Sequence, residues 1–374
     1  MAILMIARST LYKSPGGDTT QIEMTAKYLR LLGVEVAIAL ADETIDYTKY
    51  RLIHFFNLIR PDDILPHLSS GLPFVISTIF VDYSEFDKQA RKGLSGLLFR
   101  LLSKGQIEYL KAVARYFVKG DKIKSLYFLL HGQNKSIEYI LRRSELLLPN
   151  SHSEYRRLSN CTTLRPPYLK VVNAIDHQVF SASVKRNLAY DNHVLCVGRI
   201  EGLKNQLNLI KALLDTAIPL VIIGKPALNQ QAYYNECRRL GATASNIQFI
   251  EHIDHTKLAS IYKAAKVHAL PSWFETTGLS SLEAAAMGCN VVITEKGDTK
   301  EYFGNMAFYC EPDDVGSIKR AVIRALEAPR NSQLQAHVLQ HYTWEKTARQ
   351  TLRAYEHVLN SANIRTGQEI TVTY

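Results

Sequence analysis

Short apolar runs alternate with helical patterns along almost the whole chain, and this alternation restricts the fold more than any other feature. The runs have the length of β-strands, and a polar stretch divides them into two series. Strands that alternate with helices form parallel sheets with right-handed crossovers. The sequence therefore predicts an α/β protein with two Rossmann-like domains. The predicted strands are 3–7, 34–40, 51–56, 73–79 and 145–149, then 193–200, 219–225, 246–251, 266–272, 290–297 and 306–312.

The polar stretch VVNAIDHQVFSASVKRNLAYDN marks the boundary between the two predicted domains. We place the N-terminal domain at residues 1–176, a linker at 177–192 and the C-terminal domain at 193–341. Residues 342–374 hold an amphipathic helix, which we expect to cross back to the N-terminal domain, and a polar tail. A chain of 374 residues is long enough for two such domains.

The composition is that of a globular protein, with 47% hydrophobic and 21% charged residues. The N-terminal run AILMIA is too short for the apolar part of a signal peptide, and no apolar run reaches the ~18 residues of a membrane-spanning helix. Five cysteines lie far apart without a CxxC motif, which indicates reduced thiols in the cytosol. We therefore expect a cytoplasmic protein that is soluble or peripherally bound to a membrane.

Two loops that follow predicted strands carry residues suited to phosphate. Gly16 and Gly17 precede a helix, where paired glycines allow a ligand to approach and the helix N-terminus favours an anion. Gly198 ends the first strand of the second series, and Arg199 and Lys204 follow it as cations that could neutralise a diphosphate. The alternatives are an ordinary strand–helix turn and two solvated surface cations.

The stretch SWFETTGLSSLEAAAMGC contains two acids, Glu275 and Glu283, in a setting that reads as tightly packed. Burying the Glu283 carboxylate there costs free energy unless hydrogen-bond donors surround it. The ribose diol of a nucleotide could supply these donors, and the amides of Gly278 and Leu279 at the helix start suit phosphate oxygens. Glu275 would reach the group beyond the phosphates. Alternatively, Glu283 caps a backbone amide and Glu275 is a solvated loop acid.

The form FETTGLSSLEAAAMG, with Glu275 eight positions before Glu283, resembles the signature of retaining GT-B glycosyltransferases of family 4, the glycosyl transferases group 1. The similarity extends over about residues 3–360 and is tightest over 193–312. It implies a GT-B architecture, in which two Rossmann-like parallel-sheet domains face a central cleft. Further matching elements are the Gly16-Gly17 loop, PNSHSEYRRL (149–158), VVNAID (171–176), VGRIEGLKN (197–205), LVIIG (220–224) and the terminal YTWEKTARQTLRAYEHVL.

The resemblance also implies a role for each candidate residue. Glu283 would hold the ribose of a nucleotide-diphosphate sugar, and Glu275 would bind the transferred sugar and stabilise its developing positive charge. Arg199 and Lys204 would hold the diphosphate. The acceptor would attack from the face that the leaving phosphate vacates, with retention of configuration. No metal is expected, because no two Asp residues stand at i and i+2 as in a DxD motif. The other donor-binding candidates are Gly16, Gly17, Gly198, Thr277, Gly278 and Leu279.

Two departures from the family concern the acceptor side and the inter-domain segment. Many relatives carry a histidine after the fourth strand of the first domain, where this chain reads PFVISTIFVDYSEF. Asp82 is therefore the candidate acceptor-side group. The alternatives are another acceptor-side group, or base help from the donor phosphate alone. The usual Asn-Gly of the inter-domain segment is Asn173-Ala174 here, which we expect to be harmless. His54 and His131 are further acceptor-side candidates, although a single histidine is more often structural.

Most of the net charge of +10 comes from one segment of the predicted N-terminal domain. From Lys88 to Lys124 there are ten Lys and Arg against two acids, a local net charge of +8, interleaved with apolar residues at helical spacing. We interpret this insertion, at about residues 84–143, as amphipathic helices that dock on an anionic membrane surface near the acceptor. Core helices with a basic solvent face are the alternative. Nucleic acid is not favoured, because no nucleic-acid-binding motif accompanies the charge.

These features predict a metal-independent hexosyltransferase without a cofactor. It would move a sugar from a nucleotide-diphosphate sugar, with UDP favoured over GDP on frequency alone, to a glycan or lipid-linked glycan. The expected setting is the synthesis of bacterial cell-surface polysaccharide such as lipopolysaccharide, at the cytoplasmic face of the inner membrane. Two other functions remain open: a nucleotide-sugar 2-epimerase on the same scaffold, and a non-catalytic nucleotide-sugar-binding or membrane-scaffold protein.

Overall fold

The computed structural model describes residues 2–82, 86, 105–110, 113 and 123–366, with side chains up to residue 361. The predicted basic insertion covers about residues 84–143. Up to residue 122, it lies outside the described residues except for 86, 105–110 and 113. The described residues form two compact units. The first is drawn from Met1–Phe80, Arg91–Val172 and Trp344–Tyr374, and the second from Val81–Ala90 and Asn173–Thr343.

Strands and helices alternate in both units. The strands are β1 (Ala2–Ala7), β2 (Glu35–Leu40), β3 (Leu52–Phe56), β4 (Phe74–Ser77), β5 (Leu146–Leu147), β6 (Val194–Val197), β7 (Leu220–Ile223), β8 (Ile247–Ile250), β9 (Val267–Leu270), β10 (Asn290–Thr294) and β11 (Phe308–Cys310). The helices are α1 (Gly17–Leu31), α2 (Leu126–Leu141), α3 (His152–Ser159), α4 (Gln206–Leu213), α5 (Gln231–Gly241), α6 (His255–Ala264), α7 (Leu279–Ala286), α8 (Thr299–Phe303), α9 (Val315–Glu327), α10 (Ser332–His341) and α11 (Trp344–Thr366).

The first unit is built on a parallel sheet with the strand order β2-β1-β3-β4-β5. Strands β1 and β3 lie at its centre and are buried along almost their whole length. A central strand of a parallel sheet is covered on both faces, which explains the continuous apolar sequences of β1 and β3. The C-terminal helix α11 packs on α1 and belongs to this unit.

His54 of β3 is a structural residue of the first unit. Its Nδ1 atom lies 2.7 Å from the hydroxyl of Tyr355 on α11, and its Nε2 atom lies 2.9 Å from the hydroxyl of Ser77 on β4. Burial lowers the pKa of His54 to about 3, so the ring is neutral near pH 7. This side chain connects two strands to the C-terminal helix, and both of its nitrogens are already used.

The second unit is built on a parallel sheet with the strand order β11-β10-β9-β6-β7-β8. Strand β6 pairs with β7 on one side and with β9 on the other, so that Val194 lies opposite both Leu220 and Val267. The chain order reverses at this point, and ligands of open α/β sheets bind beside the carboxyl ends of the strands at such a switch point. The loops after β6 and β9, which carry Arg199, Lys204 and Glu275, are therefore neighbours.

Both predicted series of parallel strands are confirmed, although most strands are shorter than predicted. Gly198, at φ 151°, follows the last residue of β6, and Pro271 follows the last residue of β9. The units divide between Val172 and Asn173, so residues 177–192 lie in the second unit. There Phe180 is 1% exposed, with its ring centroid 6.2 Å from that of Tyr262. Among the described residues, no helix combines the length and apolar character needed to cross a membrane.

Candidate functional site

The glycines that follow β6 and β7, Gly198 and Gly224, approach each other closely. A Cβ atom at Gly224, which follows β7, would lie 1.9 Å from the carbonyl oxygen of Gly198. Glycine at 224 therefore allows the β6 loop to leave the sheet where it does. Arg199 follows, pairs with Glu201 at 3.2 Å and keeps 42% of its side chain exposed. Its guanidinium thus remains accessible to a ligand at this edge of the sheet.

Lys204 and Glu275 form a buried ion pair. The Nζ atom of Lys204 lies 2.7 Å from Oε2 of Glu275, and the hydroxyl of Ser272 donates to the same oxygen at 3.0 Å. The two charged side chains are only 20% and 8% exposed, respectively. The structure therefore brings together a cation and an acid that are 71 positions apart in the sequence.

Asn205 holds the Lys204 turn in place, and sequence reasoning missed it. Its backbone is left-handed, at φ 61° and ψ 32°, a conformation that Asn tolerates better than most residues. Its side-chain amide donates to the carbonyls of Pro271, at 3.0 Å, and Pro312, at 2.7 Å. A Lys-Asn pair between a predicted strand and a predicted helix indicates such a turn. The hydrogen bonds of Asn205 to two distant carbonyls could not be predicted from the sequence.

The backbone of Glu275 is fixed by the loop after β10, which sequence reasoning also missed. The Glu275 amide donates to the Lys296 carbonyl at 3.0 Å, and the Asp298 amide donates to the Glu275 carbonyl at 2.9 Å. Between them, Gly297 adopts φ 109°, and a Cβ atom there would lie 2.0 Å from the Glu275 carbonyl oxygen. Only glycine allows this contact. Gly297 therefore sets the position of the acid.

Gly278 begins helix α7 in a left-handed conformation, at φ 72° and ψ 63°. A Cβ atom there would lie 3.1 Å from Cδ1 of Ile293 and 3.3 Å from Cγ of Glu275, so the turn is tightly packed. The amides of Gly278 and Leu279 precede the first intrahelical hydrogen bonds and are available to an anion. The preceding Thr277 is 1% exposed, which makes it part of the support of this turn.

Asn173 supports the same turn from the start of the second unit. Its side-chain amide donates to the Thr277 hydroxyl at 3.2 Å, and its backbone amide donates to the Tyr302 hydroxyl at 3.1 Å. The following residue, Ala174, is buried at 2% exposure. The Asn173 side chain thus holds the Thr277 turn by a hydrogen bond.

Glu283 lies on α7 with its carboxylate unpartnered. In the described part of the chain, no hydrogen bond or ion pair of this carboxylate contributes to its pKa. Desolvation raises its pKa to about 8. Glu275 and Glu283 therefore differ: the first is held by a lysine and a serine, whereas the second lacks donors within the protein. A carboxylate in this state is suited to accept hydrogen bonds from a ligand.

Gly16 and Gly17 lie in the first unit, at the start of α1. The Gly16 amide donates to the Thr19 hydroxyl at 3.0 Å. Arg8, which sequence reasoning missed, fixes the loop: its Nε atom lies 2.5 Å from Asp18, and its Nη2 atom donates to the Ser14 carbonyl at 2.8 Å. Asp18 supplies a negative charge in the first turn of α1, where the helix dipole favours one.

The acceptor-side candidates lie apart from this arrangement in the chain. Asp82 follows β4 and is half-buried. His131 of α2 is exposed, and its ring stacks on that of Tyr127 with centroids 4.1 Å apart. Of the ten cations in the basic segment, the structure describes Lys124, whose Nζ lies 2.6 Å from Oδ1 of Asp63. This lysine is therefore engaged in an ion pair at 16% exposure.

The chemistry available in these loops is charge and hydrogen bonding. Within the described ranges, no group of three or more His, Cys, Asp or Glu side chains is arranged to hold a metal ion. Burial raises the pKa of the thiols of Cys196, Cys237, Cys289 and Cys310 to about 12, so these thiols stay protonated. The predicted charged site residues at this edge of the second sheet include Arg199, Lys204 and Glu275, with Glu283 further along α7.

Parts of the chain are similar to known proteins that are named for glycosyl transfer. Residues 182–340 match the family described as glycosyl transferases group 1. The chain is 25% identical over 255 residues to O-antigen chain mannosyltransferase B of Escherichia coli, covering 63% of this chain and 65% of that protein. It is 28% identical over 251 residues to D-inositol 3-phosphate glycosyltransferase of Stackebrandtia nassauensis, covering 58% and 55%. It is 29% identical over 195 residues to glycogen synthase of Mycobacterium tuberculosis, covering 49% and 47%. The chain thus spans between about half and two thirds of the length of these relatives.

Solved structures with the same fold cover almost the whole chain. Sucrose-phosphate synthase from Thermosynechococcus elongatus aligns with a TM-score of 0.71 at 16% identity, over 96% of this chain and 100% of that one. HepE from Anabaena, in complex with UDP and glucose, aligns with a TM-score of 0.68 at 15% identity, over 96% and 100%. Together with the two parallel-sheet units, these likenesses confirm the predicted GT-B architecture. The match to the family model, over residues 182–340, covers less than half of the chain.

Proposed function

We propose that the protein is a retaining glycosyltransferase that uses a nucleotide-diphosphate sugar. The observation that carries this proposal is the contrast between two acids at one edge of the second sheet. Glu275 is paired with Lys204 at 2.7 Å, whereas among the described residues burial alone, without a hydrogen bond or ion pair, shifts the pKa of the Glu283 carboxylate. In the transition state, the sugar of a nucleotide-diphosphate sugar carries positive charge, which Glu275 can stabilise. The ribose of the same ligand carries a diol, which can donate hydrogen bonds to Glu283.

The donor would lie along the start of α7. Glu283 accepts hydrogen bonds from the two ribose hydroxyls, which supply the donors that the protein lacks. The amides of Gly278 and Leu279 and the side chains of Arg199 and Lys204 hold the diphosphate. Thr277 and Gly198 shape the loops around it. Gly16 and Gly17 of the first unit are proposed to approach the donor as well.

The proposed reaction needs no protein nucleophile and no metal. The bond between the anomeric carbon and the diphosphate oxygen breaks, and the acceptor oxygen bonds to that carbon on the same face. The acceptor proton passes to the leaving phosphate oxygen, with Asp82 as a candidate for assistance. Lys204 and Arg199 neutralise the charge that develops on the diphosphate, and Glu275 stabilises the positive charge on the sugar. These cations supply the charge stabilisation that a metal supplies in other transferases.

We propose a UDP-sugar as the donor and a bacterial cell-surface glycan or its lipid-linked precursor as the acceptor. A structure with the same fold was solved with UDP and with UDP-glucose, which supports the base. A relative named for the O-antigen chain supports the acceptor class.

A transfer assay in deuterated water tests the function. Labelled UDP- and GDP-hexoses are incubated with the protein and a bacterial lipid-linked glycan fraction, in the presence of EDTA. We expect label in the glycan and no deuterium at C2 of the sugar. Deuterium at C2 of the free nucleotide sugar, without transfer, would identify a 2-epimerase instead. Binding without either reaction would identify a non-catalytic protein.

We propose further that the first unit docks on the anionic cytoplasmic surface of the inner membrane. Three leucines at the start of α2 are unusually exposed for their size: Leu126 at 70%, Leu130 at 69% and Leu129 at 45%. They follow directly on the segment that carries the local net charge of +8. Apolar side chains beside a basic segment are suited to the headgroup region of an anionic bilayer.

Liposome flotation tests this docking. We expect the wild-type protein to float with phosphatidylglycerol vesicles and to remain at the bottom with phosphatidylcholine vesicles. The double variant Leu126→Ser/Leu130→Ser should float less with the anionic vesicles. Leu228→Ser is a matched control, because Leu228 is 65% exposed but lies in the second unit. Equal flotation with both lipids, or an equal loss in the control, would contradict membrane docking by α2.

A further inference from the structure

Ile79, in the loop after β4, has a backbone conformation that is unusual for its side chain. Its φ is 42°, in the left-handed region. Asparagine tolerates this region, whereas a β-branched side chain there places its Cβ atom too close to the following carbonyl oxygen. Ile79 is therefore strained, and such strain persists only where the surroundings enforce it. Among the described residues other than glycine, five have a positive φ, and the other four are asparagines: Asn57, Asn192, Asn205 and Asn229.

The carboxylate of Glu154, on α3, holds both neighbours of Ile79. Its Oε1 atom accepts from the Thr78 hydroxyl and, at 2.7 Å, from the Phe80 amide. Its Oε2 atom accepts from the Asn150 amide at 2.7 Å. Glu154 is 0% exposed, so these hydrogen bonds are shielded from water. One buried acid thus fixes the loop on either side of the strained residue.

Two further contacts hold the backbone around Ile79. The Leu58 amide donates to the Thr78 carbonyl at 2.9 Å, which connects the loop to the segment after β3. The Nη2 atom of Arg157, on α3, donates to the Phe80 carbonyl at 3.0 Å. Thr78 and Phe80 are therefore fixed through their carbonyls as well, which leaves Ile79 between them in the left-handed conformation.

The strained residue lies where a ligand of the first sheet would bind. The strand order β2-β1-β3-β4-β5 reverses between β1 and β3, and ligands of open α/β sheets bind beside the carboxyl ends of the strands at such a point. Asn57 follows β3 directly, and its amide donates to the carbonyl of Ser77, the last residue of β4, at 2.9 Å. Ile79 comes two positions after Ser77, and its side chain is only half-buried. Backbone strain clusters at ligand sites, so this position suggests a functional contact.

We propose that Ile79 is a specificity-determining contact for the acceptor, and that Glu154 is a positioning residue that holds Ile79 in its left-handed conformation. The inference rests on the proposed glycosyl transfer, in which the second unit holds the nucleotide and Asp82, three positions after Ile79, is the acceptor-side candidate. An isoleucine side chain makes apolar contacts without hydrogen bonds. It therefore fits the carbon–hydrogen face of an acceptor sugar ring.

Acceptor-dependent kinetics test this inference. Transfer is measured with the UDP- or GDP-hexose that wild type uses, at a saturating donor concentration, while the concentration of the bacterial lipid-linked glycan fraction is varied. In Ile79→Asn the acceptor KM should rise by about tenfold, because asparagine keeps the backbone conformation and removes the apolar contact. The donor KM should stay within about twofold of the wild-type value, since the nucleotide is held elsewhere. The melting temperature should not fall, because asparagine relieves the strain.

Matched variants separate positioning from a general loss of structure. Glu154→Gln replaces one acceptor oxygen with a donor, so it should raise the acceptor KM as well. Glu43→Gln, at an exposed acid of the same unit, should leave the acceptor KM unchanged. Ile45→Asn changes a half-buried isoleucine of the same unit whose φ is not positive, and it should lower the melting temperature without changing the acceptor KM. If Glu154→Gln does not fold, Thr78→Val removes one hydrogen bond of Glu154 and should raise the acceptor KM in its place.

A double variant tests whether Glu154 acts through Ile79. In an Ile79→Asn background, Glu154→Gln should add little to the acceptor KM, because the apolar contact is already lost and asparagine adopts the left-handed conformation more readily. Additive effects of the two substitutions would overturn the positioning role of Glu154.

The outcomes distinguish this inference from the function on which it rests. An unchanged acceptor KM in Ile79→Asn would remove Ile79 from the acceptor site and leave the nucleotide site intact. A lower melting temperature with equal rises of the acceptor and donor KM would likewise overturn the inference, because both residues would then be structural. If wild type transferred no sugar from either nucleotide, the proposed function itself would fall, and this inference with it. A raised acceptor KM at an unchanged donor KM, with no further rise in the double variant, would establish both roles.

Discussion

The Nζ atom of Lys204 lies 2.7 Å from Oε2 of Glu275, and that oxygen also accepts from Ser272 at 3.0 Å. A cation for the diphosphate and an acid for the sugar are therefore held against each other before any ligand binds. Such a pair is preorganised, because neither group must move far when charge develops on both sides of the breaking bond. Substitutions of Lys204 and of Glu275 are therefore expected to change nucleotide affinity and turnover differently.

Glu275→Gln should lower kcat by about 100-fold to 1,000-fold, because the charge of Glu275 acts mainly in the transition state. Nucleotide affinity should change little, since the ribose and the diphosphate are held by other groups. Steady-state transfer kinetics and calorimetric titration with UDP would measure the two effects. Glu236→Gln is the control, because Glu236 is an exposed acid on α5 of the same unit. Wild-type turnover in Glu275→Gln would remove this residue from the mechanism.

Lys204→Met should lower both nucleotide affinity and turnover, each by about tenfold or more. The substitution removes a diphosphate contact and also leaves the 8%-exposed Glu275 side chain without its cation. A buried carboxylate without a partner is costly, so the melting temperature should fall as well. Transfer kinetics, UDP titration and thermal unfolding together would show this pattern. Loss of turnover at unchanged affinity would instead confine Lys204 to holding Glu275.

Gly297→Ala should abolish most transfer activity although residue 297 carries no functional group. The added Cβ would lie 2.0 Å from the carbonyl oxygen of Glu275 and would displace that residue. Gly288→Ala is a matched control, because Gly288 also has a positive φ, 87°, but its Cβ would meet Gln335 at an ordinary 3.6 Å. The control should lose only about 1–2 kcal/mol of stability and keep its kcat. Equal kcat in the two variants would contradict the positioning of Glu275 by Gly297.

Glu283→Gln should stabilise the protein without ligand at pH 8 and above. The pKa of Glu283 is raised from 4.5 to about 8 in the folded state, so the folded state disfavours the charged carboxylate. The stability contributed by its protonated form is complete below pH 4.5 and is lost as the pH rises through 8. Glutamine does not titrate and avoids this loss. Thermal unfolding at pH 5 and pH 8.5 should show a larger advantage for the variant at the higher pH, together with weaker nucleotide binding.

Acid should destabilise the protein through its buried histidines. Burial lowers the pKa values of His54 and His268 from 6.5 to about 3, so both rings are neutral in the folded state. As the pH falls below 6.5, the unfolded chain takes up protons that the folded state refuses, and stability decreases until about pH 3. Urea unfolding of wild type and His54→Asn between pH 7 and pH 4.5 would measure this. A wild-type stability that does not fall faster than that of the variant would contradict the assignment.

Much of the fold could be predicted from the sequence because parallel strands buried on both faces leave continuous apolar runs. The runs around β1, β3, β6, β9 and β10 are of this kind, and each contains a strand. The strand ends could not be predicted as well. Ile200, beyond the end of β6, is 1% exposed and pairs with Pro226 only as an isolated bridge, so the apolar run extends past the regular strand.

The candidate site was predictable where a local pattern carries it, as in the spacing of Glu275 and Glu283. Its supports depend on long-range contacts that no local pattern shows. Asn205 binds carbonyls 66 and 107 positions away, and Gly297 meets the backbone of Glu275 across two loops. The unpartnered state of the Glu283 carboxylate likewise depends on what surrounds α7 in three dimensions.

The most direct test of the nucleotide-sugar site is a thermal-shift measurement with UDP, GDP and ADP and their sugar conjugates in the presence of EDTA. A ligand that binds only the folded state raises the melting temperature with its concentration above Kd. We predict that one nucleotide series, UDP first, raises the melting temperature of wild type and has little effect on Arg199→Ala and Glu283→Ala. The exposed Arg239→Ala serves as the control and should respond as wild type does. No shift with any series, or equal shifts in all variants, would contradict a nucleotide-sugar site at these residues.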